Sequence, residues 1–392
     1  MSAEVQPTPS IAYKMDGLLR PTGANRRDAF IPSPSPQNHA AFLLRLPGGE
    51  LACVWFGGTM EGMPDISIHM SVLDEATLRW SPATVLIDDR GRSEQNPVLF
   101  NAPGGNVWLL YTSQVSGNQD TSVVRRRISA DGGKTFGAAE TMIADAGTFI
   151  RQPIVTLANG DLLLPVFKCR VTPGEKWSGN TDNAGVYRSS DGGKTWYYTE
   201  VTDSLGCVHM NIVPVTDSHL VAFYRSRWAD FIYRAESHDG GKTWSVSRPS
   251  TLPNNNSSIQ CIRLSDGRLA MVYNHSSAAN ATGRRTSLYD EIDDGEPAPS
   301  SPTTERQAFW GAPRAPLSLA FSSDNGLTWQ GRCDLDTSDG FCLSNNSVTR
   351  ANRELSYPAL LEGPGNTLDI AFTWFRQGIK HVRITLESPR RD

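Results

Sequence analysis

The sequence lacks the features that indicate a nucleic-acid-binding protein or a membrane protein. It has no basic excess, because 37 Lys and Arg residues stand against 41 Asp and Glu residues, for a net charge of −4. Proteins that bind nucleic acids or anionic membranes usually carry such an excess. No apolar run approaches the roughly 18–20 residues of a membrane-spanning helix. We therefore expect neither a nucleic-acid partner nor a membrane partner.

The patterns of a metal or cofactor site are also missing. None of the six cysteines forms a CxxC pair and no Gly-rich phosphate-binding loop is present, so we predict no metal and no cofactor. Cys333 and Cys342 bracket a short acidic loop, where either a disulfide or two free thiols would fit. The first 30 residues hold no apolar signal-peptide segment, which favours the cytoplasm, or secretion if a presequence precedes Met1.

Turn-forming and aromatic residues are abundant, with 34 Gly, 25 Pro, 10 Trp, 10 Tyr and 14 Phe. The motif S-x-D-x-G-x-T-[FW] occurs four times, each time after an apolar, β-rich run. Its Gly or Asn-Gly supplies the positive φ of a tight hairpin turn, and its Asp can bond to the backbone of the same turn. The four copies occupy residues 129–136, 189–196, 237–244 and 322–329.

A second repeat interleaves with the first and sets the number of units. A Gly-, Asn- or Asp-containing turn precedes an apolar strand six times, and residues 71–80 resemble a degenerate copy of the first motif. Six units of four short strands predict an all-β protein, a six-bladed β-propeller, rather than a β-sandwich. We expect one propeller domain over residues 31–392, after an N-terminal extension over 1–30. The C-terminal strands are expected to share a blade with residues 38–57.

An insertion over residues 276–312 widens the last spacing, and its Pro-, Ser- and acid-rich composition predicts a rim loop or an oligomer contact. The oligomeric state itself stays open. Such an insertion does not interrupt the six-unit pattern.

The innermost strand of each predicted blade begins with polar residues, which would meet at the axis of the ring. The strands that follow the Gly turns end on aromatic residues and arginines, and arginine suits bidentate capture of a carboxylate. We therefore predict an axial site for an anionic or polarised ligand, a small molecule or a glycan terminus, although a water-filled channel would also fit. The candidate binding residues at these two sets of positions are Arg151, Gln152, Asn211, Trp55, Arg225, Arg227, Asn274, Trp374 and Arg376.

Candidate catalytic groups lie at the same rim. A carboxylate in an apolar pocket can serve as a general acid, and the sequence offers Glu61, Asp65, Glu94 and Glu354. Tyr357 has a phenol that could be activated, and His39 and His209 are potential proton carriers. Each also has a structural interpretation: a turn-bonding Asp, a packed Tyr or a satisfied core His.

The four S-x-D-x-G-x-T-[FW] turns correspond to the Asp-box, and the chain resembles the sialidase (neuraminidase) superfamily, in particular its BNR-repeat sialidase-like subgroup. Matching stretches include WFGGTMEGMPDISI, FYRSRWADFIYRAESHDGGKTW and RAPLSLAFSSDNGLTW. The resemblance implies a six-bladed propeller with an axial site that hydrolyses terminal acidic sugars. By placement it implies a catalytic Tyr357 and Asp65. It also implies a carboxylate clamp drawn from Arg225 or Arg227, Arg314 and Arg376.

Three functions follow as alternatives. The first is a sialidase-like glycosidase that acts on an acidic sugar by hydrolysis or elimination. The second is a cofactor-free cyclase of the hetero-Diels–Alder type, as in fungal natural-product pathways, because Ile31-Pro32 is not preceded by the arginine typical of sialidases. The third is a non-catalytic binding propeller.

Overall fold

The computed structural model describes residues 14–87, 89, 91–115, 117–171, 177–284, 306–342 and 353–387. Within them the regular secondary structure is almost entirely β-strand, with six antiparallel sheets and two short 3-10 turns, at Gln119–Thr121 and Ala278–Asn280. No helix among these residues has the length and apolarity needed to cross a membrane. The prediction of a six-bladed β-propeller is confirmed.

The strands follow one another around the ring in chain order. Two strands precede the first blade: β1 (Arg20–Gly23) and β2 (Arg26–Ile31). Blade 1 contains β3 (Gln37–Arg45), β4 (Leu51–Gly58), β5 (Ser67–Asp74), β6 (Arg79–Trp80) and β7 (Thr84–Val85). Blade 2 contains β8 (Ser93–Asn101), β9 (Val107–Gln114), β10 (Val123–Ser129) and β11 (Glu140–Ile143).

Blades 3 to 6 complete the ring. Blade 3 contains β12 (Thr148–Phe149), β13 (Val155–Thr156), β14 (Leu162–Lys168), β15 (Asn183–Ser189) and β16 (Tyr197–Glu200). Blade 4 contains β17 (Cys207–Pro214), β18 (Leu220–Ser226), β19 (Phe231–Ser237) and β20 (Arg248–Pro253). Blade 5 contains β21 (Gln260–Arg263), β22 (Leu269–Asn274), β23 (Leu317–Ser322) and β24 (Gln330–Asp336). Blade 6 contains β25 (Leu355–Gly363), β26 (Thr367–Trp374) and β27 (Gly378–Thr385).

The first strand of each blade is the innermost one, as predicted. β3 packs beside β8 and β25, and β17 packs beside β14 and β21, so the inner strands form the wall of the axis. The apolar core fills the space between neighbouring blades; its largest cluster joins residues of blades 1, 2 and 3. Because no blade covers both of its own faces, the apolar surface is buried only when the ring closes.

Closure uses different strands from those expected. β27 pairs with β2, and β2 pairs with β1, so the N-terminal strands complete blade 6. Residues 38–57 instead form β3 and β4 of blade 1, so the expectation that they share a blade with the C-terminal strands is wrong. The stretch up to residue 30, expected to be an extension, therefore contributes two propeller strands. The segment is polar and its outer strand is exposed, so it carries little of the apolar alternation that marks a strand.

The four repeated turns, called Asp-Gly turns below, form the hydrogen bonds that their sequence predicts. In the second of them, Asp191 accepts bonds from the Thr195 amide at 3.0 Å and from the Thr195 hydroxyl at 2.7 Å, and Ser189 accepts from the Gly193 amide at 2.8 Å. The degenerate copy in blade 1 keeps the Asp contacts, since Asp74 accepts from the Thr77 hydroxyl at 2.7 Å.

Each Asp-Gly turn also contacts the preceding blade through its second turn residue. An added Cβ at Gly193 would lie 2.3 Å from the Trp108 ring, and one at Gly326 would lie 2.3 Å from the Phe223 ring. Gly133 and Gly241 approach leucines of the preceding blades in the same way. The motif therefore keeps glycine here for two reasons, a positive φ and a close interblade contact.

Two further predictions from the sequence concern the cysteines and the insertion. No disulfide joins any of the six cysteines, all of which lie among the described residues, so the Cys333–Cys342 disulfide is not formed; Cys342 is buried and Cys333 is exposed. Of the insertion, residues 276–284 and 306–312 are described and the remainder lies outside the described residues. The Phe309 amide donates to the Arg227 carbonyl at 2.7 Å, which places this end of the insertion against Arg227.

Candidate functional site at the axis

The inner strands share a distortion at the end where the candidate residues lie. In five of the six blades, one residue near the start of the inner strand has a left-handed backbone conformation that non-glycine residues rarely adopt. The register shifts beside it in four of these strands, which is the mark of a β-bulge. The five residues are Ala40 (φ 60°), Asn96 (φ 49°), His209 (φ 53°), Asn256 (φ 56°) and Tyr357 (φ 51°).

The inner strands lie at the edges of their sheets, so backbone groups on the axis side have no strand partner, and polar side chains from other blades satisfy them. The Gln152 amide donates to the Ile259 carbonyl at 2.6 Å, and Asn211 accepts from the Cys261 amide at 2.5 Å. Asn274 donates to the Leu355 carbonyl at 2.8 Å. These three side chains were predicted to bind ligand. The structure instead engages each of them in joining one blade to another.

Arg151 joins blades across the whole axis. Its Nη2 donates to the carbonyls of Ala41 at 2.9 Å, Tyr357 at 3.1 Å and Pro358 at 3.1 Å, and its Nε lies 3.3 Å from the Ser258 hydroxyl. Burial lowers the pKa of Arg151 to about 10, which still leaves it charged at neutral pH. Arg151 therefore links blades 3, 1 and 6, while its Nη1 is buried with no hydrogen-bond partner among the described residues and is left available to a ligand.

Glu354 is the anionic centre of the site and is fully buried. Its carboxylate accepts from Arg314 Nη1 at 2.6 Å and from Arg376 Nε at 3.0 Å. Burial alone would favour the neutral acid, but the two guanidinium groups hold the pKa of Glu354 well below its usual range. Arg376 also contacts Glu61 at 2.6 Å. Glu354 is thus an ionised partner of two arginines rather than a general acid.

The Tyr357 ring lies among three guanidinium groups. The central carbons of Arg151, Arg225 and Arg314 are 5.4, 5.7 and 5.6 Å from the ring centroid. The phenol oxygen accepts a hydrogen bond from Arg225 Nη1 at 2.6 Å, and Asn256 holds Arg225 through Nε at 2.8 Å. The predicted grouping of Arg225, Arg314 and Tyr357 in one site is therefore present in the structure.

Two buried histidines flank the same ring. The centroid of His39 is 4.1 Å from that of Tyr357, and the centroid of His209 is 5.5 Å away. His39 Nδ1 bonds to Thr373 Oγ1 at 2.8 Å, and His209 Nε2 lies 3.4 Å from Arg225 Nη1. Burial lowers the pKa of both imidazoles well below the usual value, and the nearby arginines lower it further. Both are therefore neutral at pH 7.

Each histidine keeps one ring nitrogen unused. His39 Nε2 and His209 Nδ1 are buried and have no hydrogen-bond partner among the described residues. A buried polar atom without a partner is costly, so each nitrogen marks a position where a ligand would find a hydrogen-bonding group.

Arg227 lies apart from the group of arginines around Tyr357 and has its own set of partners. It is buried and pairs with Asp182 at 2.6 Å through Nη2. Its guanidinium lies over the rings of Phe167, Trp177 and Trp310 at 5.5, 5.3 and 5.2 Å. Because Asp182 already neutralises its charge, Arg227 contributes less to the excess charge of the axis than Arg225 does.

The remaining candidates lie in other environments. Asp65 is exposed and accepts bonds from the Thr59 amide and hydroxyl, both at 2.9 Å, which is the turn-bonding alternative. Trp55 is fully buried, bonded to Asn38 at 2.8 Å and stacked on His69. Trp374 packs against Phe30 and Phe375 in the core of blade 6. For Trp55 and Trp374 the structure replaces the predicted ligand contact with a core role, because both side chains are buried in their own sheets.

Sequence reasoning missed the residues that position the charged groups. Thr373 orients His39, Asp182 neutralises Arg227, and Asn256 orients Arg225. Thr373 lies 334 positions from His39 in the chain, and no local pattern relates such distant residues. Asn256 is part of a polar strand start, which was the one signal available for it.

The comparisons with known proteins agree with this fold. The family model described as BNR repeat-like domain matches residues 49–370. The chain belongs to this family. The comparison with curated proteins found no match.

Solved sialidases have the same fold as this family member. The Hadza microbial sialidase Hz136 is 15% identical, with a TM-score of 0.65, over 90% of this chain and 66% of that protein. The NanB sialidase from Streptococcus pneumoniae is 11% identical, with a TM-score of 0.63, over 90% of this chain and 69% of that protein. A protein of unknown function from Dyadobacter fermentans is 16% identical, with a TM-score of 0.65, over 93% and 100%. At these identities the likeness shows the fold alone.

Proposed function

We propose that this BNR-repeat protein is an enzyme whose axial site binds a carboxylate-bearing sugar. The observation that carries the proposal is the charge of the site. Four buried guanidinium groups, those of Arg151, Arg225, Arg314 and Arg376, lie around Tyr357 and Glu354, and within the described part of the chain only two carboxylates, Glu354 and Glu61, contact them.

Buried charge without compensation is unfavourable for folding. The whole chain has a net charge of −4, so the local positive excess runs against its overall composition. A ligand carboxylate would supply the missing negative charge and accept charge-assisted hydrogen bonds from arginine. Sialidases act on an acidic sugar, and the shared fold makes such a substrate a reasonable first choice.

The surroundings of Tyr357 favour elimination over hydrolysis through a tyrosine nucleophile. A nucleophile needs an adjacent base within hydrogen-bond reach. Among the described residues, the Tyr357 phenol is bonded by an arginine, and Glu354 is occupied by Arg314 and Arg376. Hydrolysis by a Tyr–Glu pair therefore lacks its carboxylate.

Elimination requires cationic groups at the carboxylate, a base and an acid, and the arginines, the two neutral histidines and the Tyr357 phenol are suited to these roles. Arginines that bind a carboxylate stabilise the negative charge that develops when the neighbouring C–H loses its proton. A neutral imidazole of His39 or His209 takes that proton, and the electron pair forms a C=C bond with the adjacent carbon. The C–O bond from that carbon to the leaving sugar breaks, and the departing oxygen takes a proton from the Tyr357 phenol. Proton exchange with solvent then restores the phenol and the imidazole.

Cyclisation is the second candidate. It is favoured by the same donor-rich surroundings, because guanidinium groups polarise a carbonyl without supplying a nucleophile. Such a substrate would be a conjugated ketone or quinone methide rather than a sugar acid.

The test is to incubate the protein with uronic-acid disaccharides and with sialosides and to identify the products. Elimination gives an unsaturated product with ultraviolet absorbance, whereas hydrolysis gives two saturated sugars. We expect the unsaturated product from the uronic-acid disaccharides, in which the carbon next to the carboxylate bears a hydrogen, with Tyr357→Phe and His209→Gln lowering kcat by about 10²–10⁴-fold, the usual range for a general acid or base.

Asp65→Asn is the discriminating variant. Elimination predicts that it keeps most of the activity, because the Asp65 carboxylate bonds only to Thr59 among the described contacts. Saturated products together with an inactive Asp65→Asn variant would replace elimination by hydrolysis with Asp65 as the acid. No binding and no turnover of any acidic sugar would refute the proposal.

A further inference from the structure

Blade 4 carries a cluster of metal-ligating side chains outside the axial site. His219 lies just before β18, Glu236 lies near the end of β19, and His238 is the second residue of the third Asp-Gly turn. One potential ligand atom from each of the three lies within 4.8 Å of the other two. The turns that carry the two histidines lie at the far end of β17 from the bulge, so the cluster is on the face opposite the axial site.

The three side chains converge on one oxygen atom. His219 Nε2 is 2.8 Å from Glu236 Oε2, and His238 Nε2 is 3.5 Å from the same oxygen. The two imidazole rings stack with their centroids 4.6 Å apart and an interplanar angle of 22°. Donors bound to one tetrahedral ion at about 2.0–2.2 Å are roughly 3.3 Å from one another, so only small side-chain rotations separate this cluster from a coordinated site.

Glu236 is already oriented for this role. Arg234 Nη1 donates to the other carboxylate oxygen, Oε1, at 2.5 Å, which leaves Oε2 facing the histidines. A partner that fixes a ligating carboxylate is a common feature of metal sites.

The repeat shows that His238 is not required by the turn itself. The other three Asp-Gly turns have Ala130, Ser190 and Ser323 at the equivalent position. In each turn the Asp and Ser side chains make the stabilising bonds, and the intervening residue takes no part in them. His238 is 73% exposed, so its imidazole is free to rotate toward an ion.

We propose that His219, Glu236 and His238 form a binding site for a divalent transition-metal ion, with Zn²⁺ as the first choice. Two imidazoles and one carboxylate suit Zn²⁺, Co²⁺, Ni²⁺ or Cu²⁺ better than Mg²⁺ or Ca²⁺, which prefer all-oxygen sites. The exposed side of the cluster leaves at least one coordination position for water. The ion would link the turn before β18 to the third Asp-Gly turn and so stabilise one end of blade 4.

The experiment is a titration of the full-length, untagged protein with ZnCl₂ by calorimetry and with CoCl₂ by visible absorption. We expect one equivalent of Zn²⁺ to bind, the absorption bands of a Co²⁺ complex with nitrogen ligands to appear, and Tm to rise by several degrees at saturation.

His238→Ser is the matched variant, because serine occupies this position in two of the other turns and the fold tolerates it there. We expect it to weaken Zn²⁺ binding by at least about tenfold and to abolish the rise in Tm. The control is His275→Ser, which removes a histidine from blade 5 and should leave Zn²⁺ affinity unchanged. No Zn²⁺ binding at millimolar concentration, or equal binding by the protein and its His238→Ser variant, would overturn the proposal.

Discussion

At the scale of single residues, the axis is a place where ordinary side-chain chemistry is altered by burial. Glu354 is ionised although it is fully buried. His39 and His209 are neutral because burial and the nearby arginines both lower the pKa of their imidazoles. These states follow from the density of guanidinium groups, which favours anions and disfavours further cations. The protonation states of the site are therefore a consequence of where the arginines lie.

The neutral state of His209 predicts a sensitivity to acid. Its pKa is depressed in the folded protein, so below about pH 6.5 the unfolded chain binds a proton that the folded chain does not. The stability that this histidine contributes is present above that pH and is lost as the pH falls, by about 1.4 kcal/mol for each pH unit. In chemical denaturation at pH 5 to 7, His209→Gln should show a shallower decline of stability than the unaltered protein. Equal slopes would contradict the neutral, buried imidazole.

Glu94 gives the opposite pH dependence. It is fully buried at the start of β8, and burial raises its pKa to about 7, while the Ser113 hydroxyl 3.1 Å away partly offsets the effect. Between about pH 4.5 and 7 the folded protein holds a proton that the unfolded chain releases, so Glu94 lowers stability as the pH rises. We expect Glu94→Gln to be more stable than the unaltered protein at pH 8, by up to about 3 kcal/mol, and equal to it near pH 4.5. A constant difference across this range would show that Glu94 does not titrate there.

The sequence predicts the residue types of the site better than their roles. Arginines at strand ends and a tyrosine at the last inner strand were expected, and the structure groups Arg225, Arg314 and Tyr357. Gln152 and Asn211 could not be distinguished from ligand contacts, because their partners are backbone groups at the inner edge of another blade. Which backbone groups are free is decided by tertiary structure, so no local pattern reports it.

At the scale of the structural element, the repeated turn fixes both the hairpin and the distance between blades. The first glycine of the second Asp-Gly turn, Gly192 (φ 73°), has open space around it, whereas the second, Gly193 (φ 86°), lies against Trp108 of blade 2. The motif and its turn chemistry were evident in the sequence. The contact with the neighbouring blade was not, because the sequence does not give the packing distance between sheets.

Alanine substitutions at these two glycines should therefore differ. Gly192→Ala introduces only left-handed backbone strain, which costs about 1–2 kcal/mol. Gly193→Ala adds a contact of 2.3 Å with the Trp108 ring, and overpacking of this kind costs about 1–3 kcal/mol more. Urea denaturation of the two variants measures the difference, with Gly192→Ala as the matched control. Equal stabilities would mean that Trp108 moves without cost.

At the scale of the whole molecule, the ring is held closed by strands from both ends of the chain. β2 pairs with β27, and Phe30 packs against Trp374 with ring centroids 5.1 Å apart. Periodic turns predict the number of blades, but they do not show which terminal segment completes the last one. β1 is short, exposed and at the edge of the sheet, and only the second half of β2 is buried, so the two strands lack the apolar pattern by which strands are recognised.

Because the N-terminal strands close the ring, a substitution of a buried residue in them should strongly lower the stability of the fold. Phe30→Ala removes a buried ring from the seam and should destabilise the fold by about 3 kcal/mol. Phe231→Ala is the control, because Phe231 is 45% exposed, and it should change stability by less than about 0.5 kcal/mol. Thermal or urea unfolding measures both variants. A small effect of Phe30→Ala would mean that the N-terminal strands are not needed to close the ring.

The positive charge of the axis also belongs to the whole molecule, since its four arginines come from blades 3, 4, 5 and 6 and meet only when the ring is complete. The most direct test is calorimetric binding of a uronic-acid or sialic-acid glycoside beside its methyl ester, which lacks the negative charge and carries one additional methyl group. We predict that the acid binds and that the ester binds at least about tenfold more weakly, since hydrogen bonds to a charged group contribute about 1.5–3 kcal/mol. Equal affinities for acid and ester, or binding by neither, would contradict an axial site built for a carboxylate.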